Sequence, residues 1–174
     1  MESAPLDLPE FRRWREEADR AIESARRESA AGANNWSCFL SEQAAQLAMK
    51  ALLHGLGRGP WGHDLLRLGQ EAEAAGPHAS SDVQDALARL ARHYIPARYP
   101  DAHASGPASA RYRGSDSAQA LAEQLSQFVG QNIAKQSSEQ RNQPSEEELM
   151  NRPFSALSEN EADVPLLPRP TIDH

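Results

Sequence analysis

The chain has 174 residues, enough for one domain with a sizeable buried core, and carries a formal net charge of −7. Its single cysteine, Cys38, cannot form an internal disulfide, so a cytoplasmic setting is expected. No run approaches the ~20 apolar residues that cross a bilayer, and the first residues lack the pattern of a secretion signal. Membrane association is therefore not expected. Sixteen of the eighteen basic residues are arginine, which together with abundant alanine favours a bacterial source.

The acidity is concentrated at the end of the chain. Residues 136–174 hold eight acids against three arginines, whereas residues 1–135 hold seventeen acids against fifteen bases. The end segment is also rich in proline and poor in large apolar side chains, so burial there cannot offset the entropy of ordering the chain. The sequence therefore predicts a folded domain over residues 9–135 and a disordered acidic, proline-rich tail over residues 136–174.

Two helices are predicted in the first third of the chain. The first starts at Pro9, since proline is favoured in a first turn, and carries apolar residues at helical spacing. The second covers residues 36–53. On a helical wheel its main apolar stripe consists of Trp36, Phe39, Leu40, Gln43, Leu47 and Ala51, and a weaker strip on the far side consists of Cys38, Met49 and Leu53. A helix that is apolar on two sides is either central to its bundle or faces another subunit, and the weaker strip is our predicted dimer interface.

Three further helices are predicted, and no segment alternates as a strand would. The third extends over about residues 63–76, ending at a glycine-proline pair. The fourth opens with Ser81 and Gln84 in capping-box spacing and ends before Pro96. The fifth begins near Asp116. The predicted fold is all-α, a bundle of about five helices.

Three segments of the chain carry a resemblance to a known family. They read FLSEQAAQLAMKALL at residues 39–53, HDLL at residues 63–66 and YIPARYPD at residues 94–101. In this order, and with an alanine-rich last helix, they resemble the HEPN family over about residues 10–135. The resemblance implies an antiparallel helical bundle that usually forms homodimers.

The resemblance also implies a function, which is nucleotide or RNA binding without a cofactor. It suggests the HEPN half of a two-component, toxin-antitoxin-like module, whose other half is a nucleotidyltransferase-domain partner protein. Two alternatives stay open. One is a metal-independent endoribonuclease, and the other is a non-catalytic dimeric interaction protein.

Ribonuclease members of the family resemble one another in an arginine followed, after four to six residues, by a histidine. The arginine stabilises charge on the phosphate and the histidine moves the proton of the attacking 2′-OH, so no metal is needed. Three pairs here have this spacing: Arg98 and His103, Arg58 and His63, and Arg169 and His174. In a chain this rich in arginine, roughly one or two such pairs arise by chance. Arg98 lies in the family segment, but Tyr99 stands where active members carry a polar residue, and Pro100 places the pair on a loop.

The same region is the most basic part of the chain. Five arginines lie between residues 89 and 113, where Asp101 is the only acid, and two tyrosines are available to stack on bases. The predicted nucleotide- or RNA-binding residues are Arg98, Tyr99, Asp101, Arg111, Tyr112 and Arg113. The candidate catalytic pair is Arg98 with His103.

Other polar residues have simpler interpretations. His63 beside Asp64 is interpreted as a helix-start residue, and Lys50 as a side chain that snorkels or forms an ion pair. Gln43 is expected to form a buried hydrogen bond to a neighbouring helix or a second subunit. Cys38 is interpreted as a packed small hydrophobe. No histidine or cysteine has metal-ligand spacing, so no metal site is predicted.

Overall fold

The computed structural model describes residues 5–142 and is an all-α bundle. Five α-helices occupy this part of the chain: α1 (Leu8–Ala30), α2 (Asn34–Gly55), α3 (Leu65–Ala74), α4 (Ser81–Ala91) and α5 (Asp116–Asn142). Two short 3-10 turns, Pro100–Ala102 and Ala108–Arg111, lie in the long connection between α4 and α5. The predicted all-α fold is confirmed.

Helices α1, α2 and α5 form the long part of the bundle. The backbone N–H of Asp7 donates to the carbonyl of Gly55, which aligns the start of α1 with the end of α2. The end of α1 meets the first half of α5, where Arg26 forms a 2.6 Å ion pair with Glu123. Both pairings are antiparallel. Gly55 sits at a close approach, because a Cβ there would lie 2.8 Å from a methyl of Ile133.

Helix α2 is the central helix, and its buried face differs from the one that the wheel predicted. Trp36, on the predicted main stripe, is 46% exposed, whereas Cys38, Met49 and Leu53 are at most 2% exposed. The weaker strip therefore belongs to the core of the single chain, and these three side chains offer no surface to a second copy. The wheel favoured large residues, but α2 packs on several sides through small ones, which allow close helix contacts: Ser37, Ser41, Ala44, Ala45, Ala48 and Ala51.

Helix boundaries differ from the prediction at two places. Helix α4 ends at Ala91, a turn earlier than expected, because the ring of Pro96 clashes with a helical carbonyl four residues before it. Its N-cap is Ser80, whose side chain accepts from the backbone N–H of Val83, rather than Ser81. Helix α5 continues to Asn142, so residues 136–142 of the predicted tail are helical. The rest of that predicted segment lies outside the described residues.

Within residues 5–142, no helix is both long enough and apolar enough to cross a membrane.

Candidate functional site

The side chain of Arg98 lies among three aromatic rings. Its guanidinium carbon is 4.4 Å from the ring centre of Tyr94, 4.7 Å from that of Phe39 and 4.9 Å from that of Tyr99. The planar, weakly hydrated guanidinium is suited to such stacking. We call these four residues the Arg98 cluster. It joins α2, which supplies Phe39, to the segment that follows α4.

The segment that carries Arg98 keeps a few helix-like backbone bonds, such as that from the N–H of Tyr99 to the carbonyl of Ile95 at 3.2 Å, and side chains hold it further. Arg98 Nε donates to the carbonyl of Tyr94 at 2.8 Å. Asn35, buried at the start of α2, donates to the carbonyl of Ala97 at 2.9 Å. His103 Nε2 lies 2.7 Å from the carbonyl oxygen of Pro96, which can only accept, so this nitrogen carries a proton. These three bonds fix a backbone that Pro96 excludes from the helix.

The positive charge of Arg98 is not neutralised by an ion pair in the described part of the chain. The seven ion pairs found there involve other residues. Only Nε of Arg98 has a hydrogen-bond partner among residues 5–142, so the two terminal nitrogens remain available as donors. Tyr99 beside it is 49% exposed, and Trp36, packed edge-on against Phe39, is 46% exposed. A guanidinium of this kind, half-buried beside accessible rings, is suited to an anion attached to a planar group.

A buried carboxyl lies behind the cluster on the same helix. Glu42 is 0% exposed, and its two oxygens accept hydrogen bonds from Gln46 Nε2 at 2.6 Å and Gln43 Nε2 at 2.8 Å. Burial raises the pKa of Glu42 from 4.5 to about 7, against the lowering effects of the two amides and of the charges on Arg98 and Lys50. Gln43 therefore bonds within α2, and among the described residues it has no hydrogen bond to another helix.

The side-chain amide of Gln46 connects Glu42 to His63. Gln46 Oε1 lies 3.2 Å from His63 Nδ1. The imidazole in turn stacks on Tyr94 at 5.8 Å between ring centres, with 14° between the planes. His63 and Arg98 therefore contact the same tyrosine ring. We call Glu42, Gln46 and His63 the amide relay.

The structure brings together only part of the predicted binding set. Arg98 and Tyr99 are in contact. Tyr112 is partly buried against the core, and its hydroxyl lies 3.4 Å from His93 Nδ1, so it packs with His93 and not with the Arg98 cluster. In the described part of the chain, the other three predicted residues form no hydrogen bond, ion pair or ring contact with the Arg98 cluster. Arg111 donates to Ser105, and Asp101 and Arg113 are exposed.

The predicted catalytic pair shows no direct contact either. Among the described residues, Arg98 and His103 share no hydrogen bond, and each is bonded instead to a backbone carbonyl of the segment between them and α4. His103 therefore stabilises the backbone at Pro96, a role that its sequence spacing from Arg98 did not indicate. Within residues 5–142, no group of three or more potential ligands among His, Cys, Asp and Glu is placed to hold a metal ion.

Sequence reasoning missed the amide relay. The signal available was Glu42 and Gln46 at i, i+4 spacing in a helix whose other residues are mostly apolar or small. A carboxyl in such a helix needs partners, and the next turn supplies one. His63 was interpreted as a helix-start residue, but the N-cap of α3 is Asp64, which leaves the imidazole free to reach α2.

Comparison with known proteins places this geometry in a family. The sequence profile of the HEPN domain matches residues 11–133. The crystal structure of TT1696 from Thermus thermophilus is 34% identical with a TM-score of 0.67, and the match covers 70% of this chain and 96% of that chain. The crystal structure of ST0689, an archaeal HEPN homologue, is 29% identical with a TM-score of 0.60 over 71% of this chain and 97% of that chain. No curated protein matches the chain.

Proposed function

The chain belongs to the HEPN domain family, and on that premise we propose that it binds a nucleotide or single-stranded RNA at the Arg98 cluster. Arg98 contacts a phosphate, and the accessible rings of Tyr99 and Trp36 stack on bases. Of the six residues predicted to bind, the proposal relies on Arg98 and Tyr99.

One observation carries the proposal. Arg98 is half-buried on aromatic rings, has no carboxylate partner among the described residues and keeps its terminal nitrogens available. An arginine that served only to hold the loop would need no further donors, since its Nε alone makes the bond to Tyr94. Phosphate oxygens are the ligands that a guanidinium fork fits best, and adjacent aromatic rings tolerate any base.

The direct test is binding of a short labelled RNA to Arg98→Ala. We expect affinity to fall by about tenfold or more, since a hydrogen-bonded ionic contact contributes roughly 1.5–3 kcal/mol. The slope of log affinity against log salt should decrease by about 0.7, the value for one phosphate contact on a single strand. Arg98→Lys should be intermediate, because it keeps the charge and loses the planar stack.

Arg20→Ala is the matched control. Arg20 is an exposed arginine of α1 that pairs with Glu16, and its loss removes the same formal charge outside the cluster. RNA affinity that falls equally in both variants would show that only net charge matters and would contradict a site at Arg98. Wild-type protein that binds neither RNA nor mononucleotides would end the proposal.

The homodimer and the nucleotidyltransferase partner enter this proposal from family membership alone. Light scattering of the purified protein measures the first, and co-purification with a candidate nucleotidyltransferase measures the second. A monomer at high concentration would remove the dimer from the proposal without touching the Arg98 cluster.

A further inference from the structure

We propose that His63 is a second ligand-binding residue at the Arg98 cluster, that Gln46 and Glu42 are its positioning residues, and that the three together make the site select ribose over 2′-deoxyribose. The inference rests on the proposed function, because it assumes a phosphate bound at Arg98. It concerns the group beside that phosphate.

The amide relay determines which imidazole nitrogen carries the proton. Burial raises the pKa of Glu42 to about 7, so in alkaline buffer it is a carboxylate, which only accepts hydrogen bonds. Gln46 must then turn its NH₂ toward Glu42, at 2.6 Å. The carbonyl oxygen of the same amide then faces His63 Nδ1, and an oxygen there requires a proton on that nitrogen. In the neutral imidazole the proton is therefore on Nδ1, and Nε2 is left with a lone pair.

The lone pair of Nε2 is available to a ligand. The ring is anchored at Nδ1 by the buried Gln46, which leaves Nε2 on the opposite, outer side of an exposed residue. No described residue hydrogen-bonds to Nε2. Stacking on Tyr94 with 14° between planes fixes the orientation of the ring. The relay thus presents one acceptor in a fixed direction.

The acceptor lies in the neighbourhood of Arg98, because both side chains contact the Tyr94 ring, at 5.8 Å for the imidazole and 4.4 Å for the guanidinium. These two distances place the guanidinium carbon and the centre of the imidazole within about 10 Å of each other. A ligand that fits must therefore carry an anion and, within about that span, a hydrogen-bond donor. A ribonucleotide has this combination in its phosphate and its 2′-OH. A deoxyribonucleotide has the phosphate and lacks the donor, which is the distinction that 2′-OH recognition provides.

The experiment compares three oligouridylates of equal length: ribose, 2′-deoxyribose and 2′-O-methylribose. The 2′-O-methyl sugar keeps the oxygen and removes the donated proton, so it separates hydrogen-bond donation from sugar shape. In buffer alkaline enough to keep imidazoles neutral, wild-type protein should bind the ribose form about five- to tenfold more tightly than either of the others, the effect of one hydrogen bond.

Two substitutions of His63 isolate its contribution. His63→Ala removes the ring, and His63→Phe keeps a ring to stack on Tyr94 while removing both nitrogens. Both should lose the ribose preference and leave affinity for the deoxyribose form within about twofold of wild type. His78→Ala, which removes an exposed histidine between α3 and α4, is the control and should keep the preference.

The positioning role has its own readout. Nitrogen-15 NMR of the imidazoles should show His63 with its proton on Nδ1. In Gln46→Met the proton should move to Nε2, and the preference for ribose should decrease. Wild-type protein that binds ribose and deoxyribose forms equally, with affinity still dependent on Arg98, would overturn this inference and leave the proposed function standing. A ribose preference that survives in both His63 variants would also overturn it. Absence of any binding would end both.

Discussion

The protonation of Glu42 depends strongly on the surroundings of its buried carboxyl. Its carboxyl has no contact with solvent and its pKa is raised to about 7 by burial, although two amides and two nearby cations act in the opposite direction. In the folded chain the group therefore binds its proton more tightly than in the unfolded chain. The contribution of this carboxyl to stability must then fall as pH rises from about 4.5 towards 7.

This fall in stability with rising pH predicts how Glu42→Gln behaves, because the glutamine side chain is neutral at every pH. Near pH 5 wild type and variant should have similar free energies of unfolding, because the wild-type carboxyl is protonated. Between about pH 5 and pH 8 the difference should shift by about 2–3 kcal/mol in favour of the variant. Urea unfolding at a series of pH values measures it. A difference that does not change with pH would mean that Glu42 titrates alike in both states.

His103 gives a second prediction at this scale. His103→Ala removes the bond to the Pro96 carbonyl and should lower the free energy of unfolding by about 1 kcal/mol. RNA affinity should change by less than about threefold, because the guanidinium of Arg98 keeps its own bond to Tyr94. A chelator-resistant RNA cleavage that disappears in this variant without loss of binding would instead support the ribonuclease alternative.

The sequence predicted Arg98 and Tyr99 as binding residues because they lie in the family segment and in the most basic part of the chain, and the two side chains are in contact. It did not identify Gln46 and His63 as partners, since their contact depends on how α3 packs against α2. The helical wheel also ranked the two strips of α2 in the wrong order, because hydrophobicity alone does not indicate that alanines and serines allow the closest packing. Cys38 illustrates the result: the expected interface residue is 2% exposed within one chain.

At the scale of elements, α3 depends on its cap. Asp64 accepts hydrogen bonds from the backbone N–H groups of Leu66 and Arg67, so the end that adjoins the amide relay is fixed by a side chain. Asp64→Ala should lower stability by about 1 kcal/mol. Asp64→Asn is the matched control and should retain most of it, because asparagine caps equally well without the charge. Equal losses, measured by urea unfolding, would point to the charge rather than the cap.

The boundaries of elements were predictable where the reason is local. The glycine-proline pair at residues 76–77 and the start expected near residue 63 bounded α3 to within two residues at each end. The end of α4 was misplaced because the effect of Pro96 reaches back a full turn. Ser80 and Ser81 are adjacent residues of the same type, and no local rule distinguishes which of them caps α4.

At the scale of the whole molecule, the last prediction concerns the acidic residues 143–174 and follows from the distribution of charge along the chain. Residues 143–174 hold seven acids against two arginines, so a chain that ends at Asn142 has a net charge of −2 in place of −7. The match to TT1696 covers 96% of that chain but 70% of this one, so the bundle forms in a relative with little beyond it. The shortened chain should therefore melt within about 2 °C of the full chain, which corresponds to less than about 0.5 kcal/mol.

Its affinity for RNA should rise at low salt, because less negative charge opposes the approach of phosphates. The gain should shrink at high salt, where charges more than about a Debye length apart are screened, and Arg98→Ala should weaken binding in the short and full chains by the same factor. A gain that persists at high salt would mean that residues 143–174 cover the Arg98 cluster directly instead of acting through charge. A marked loss of melting temperature would assign them to the fold.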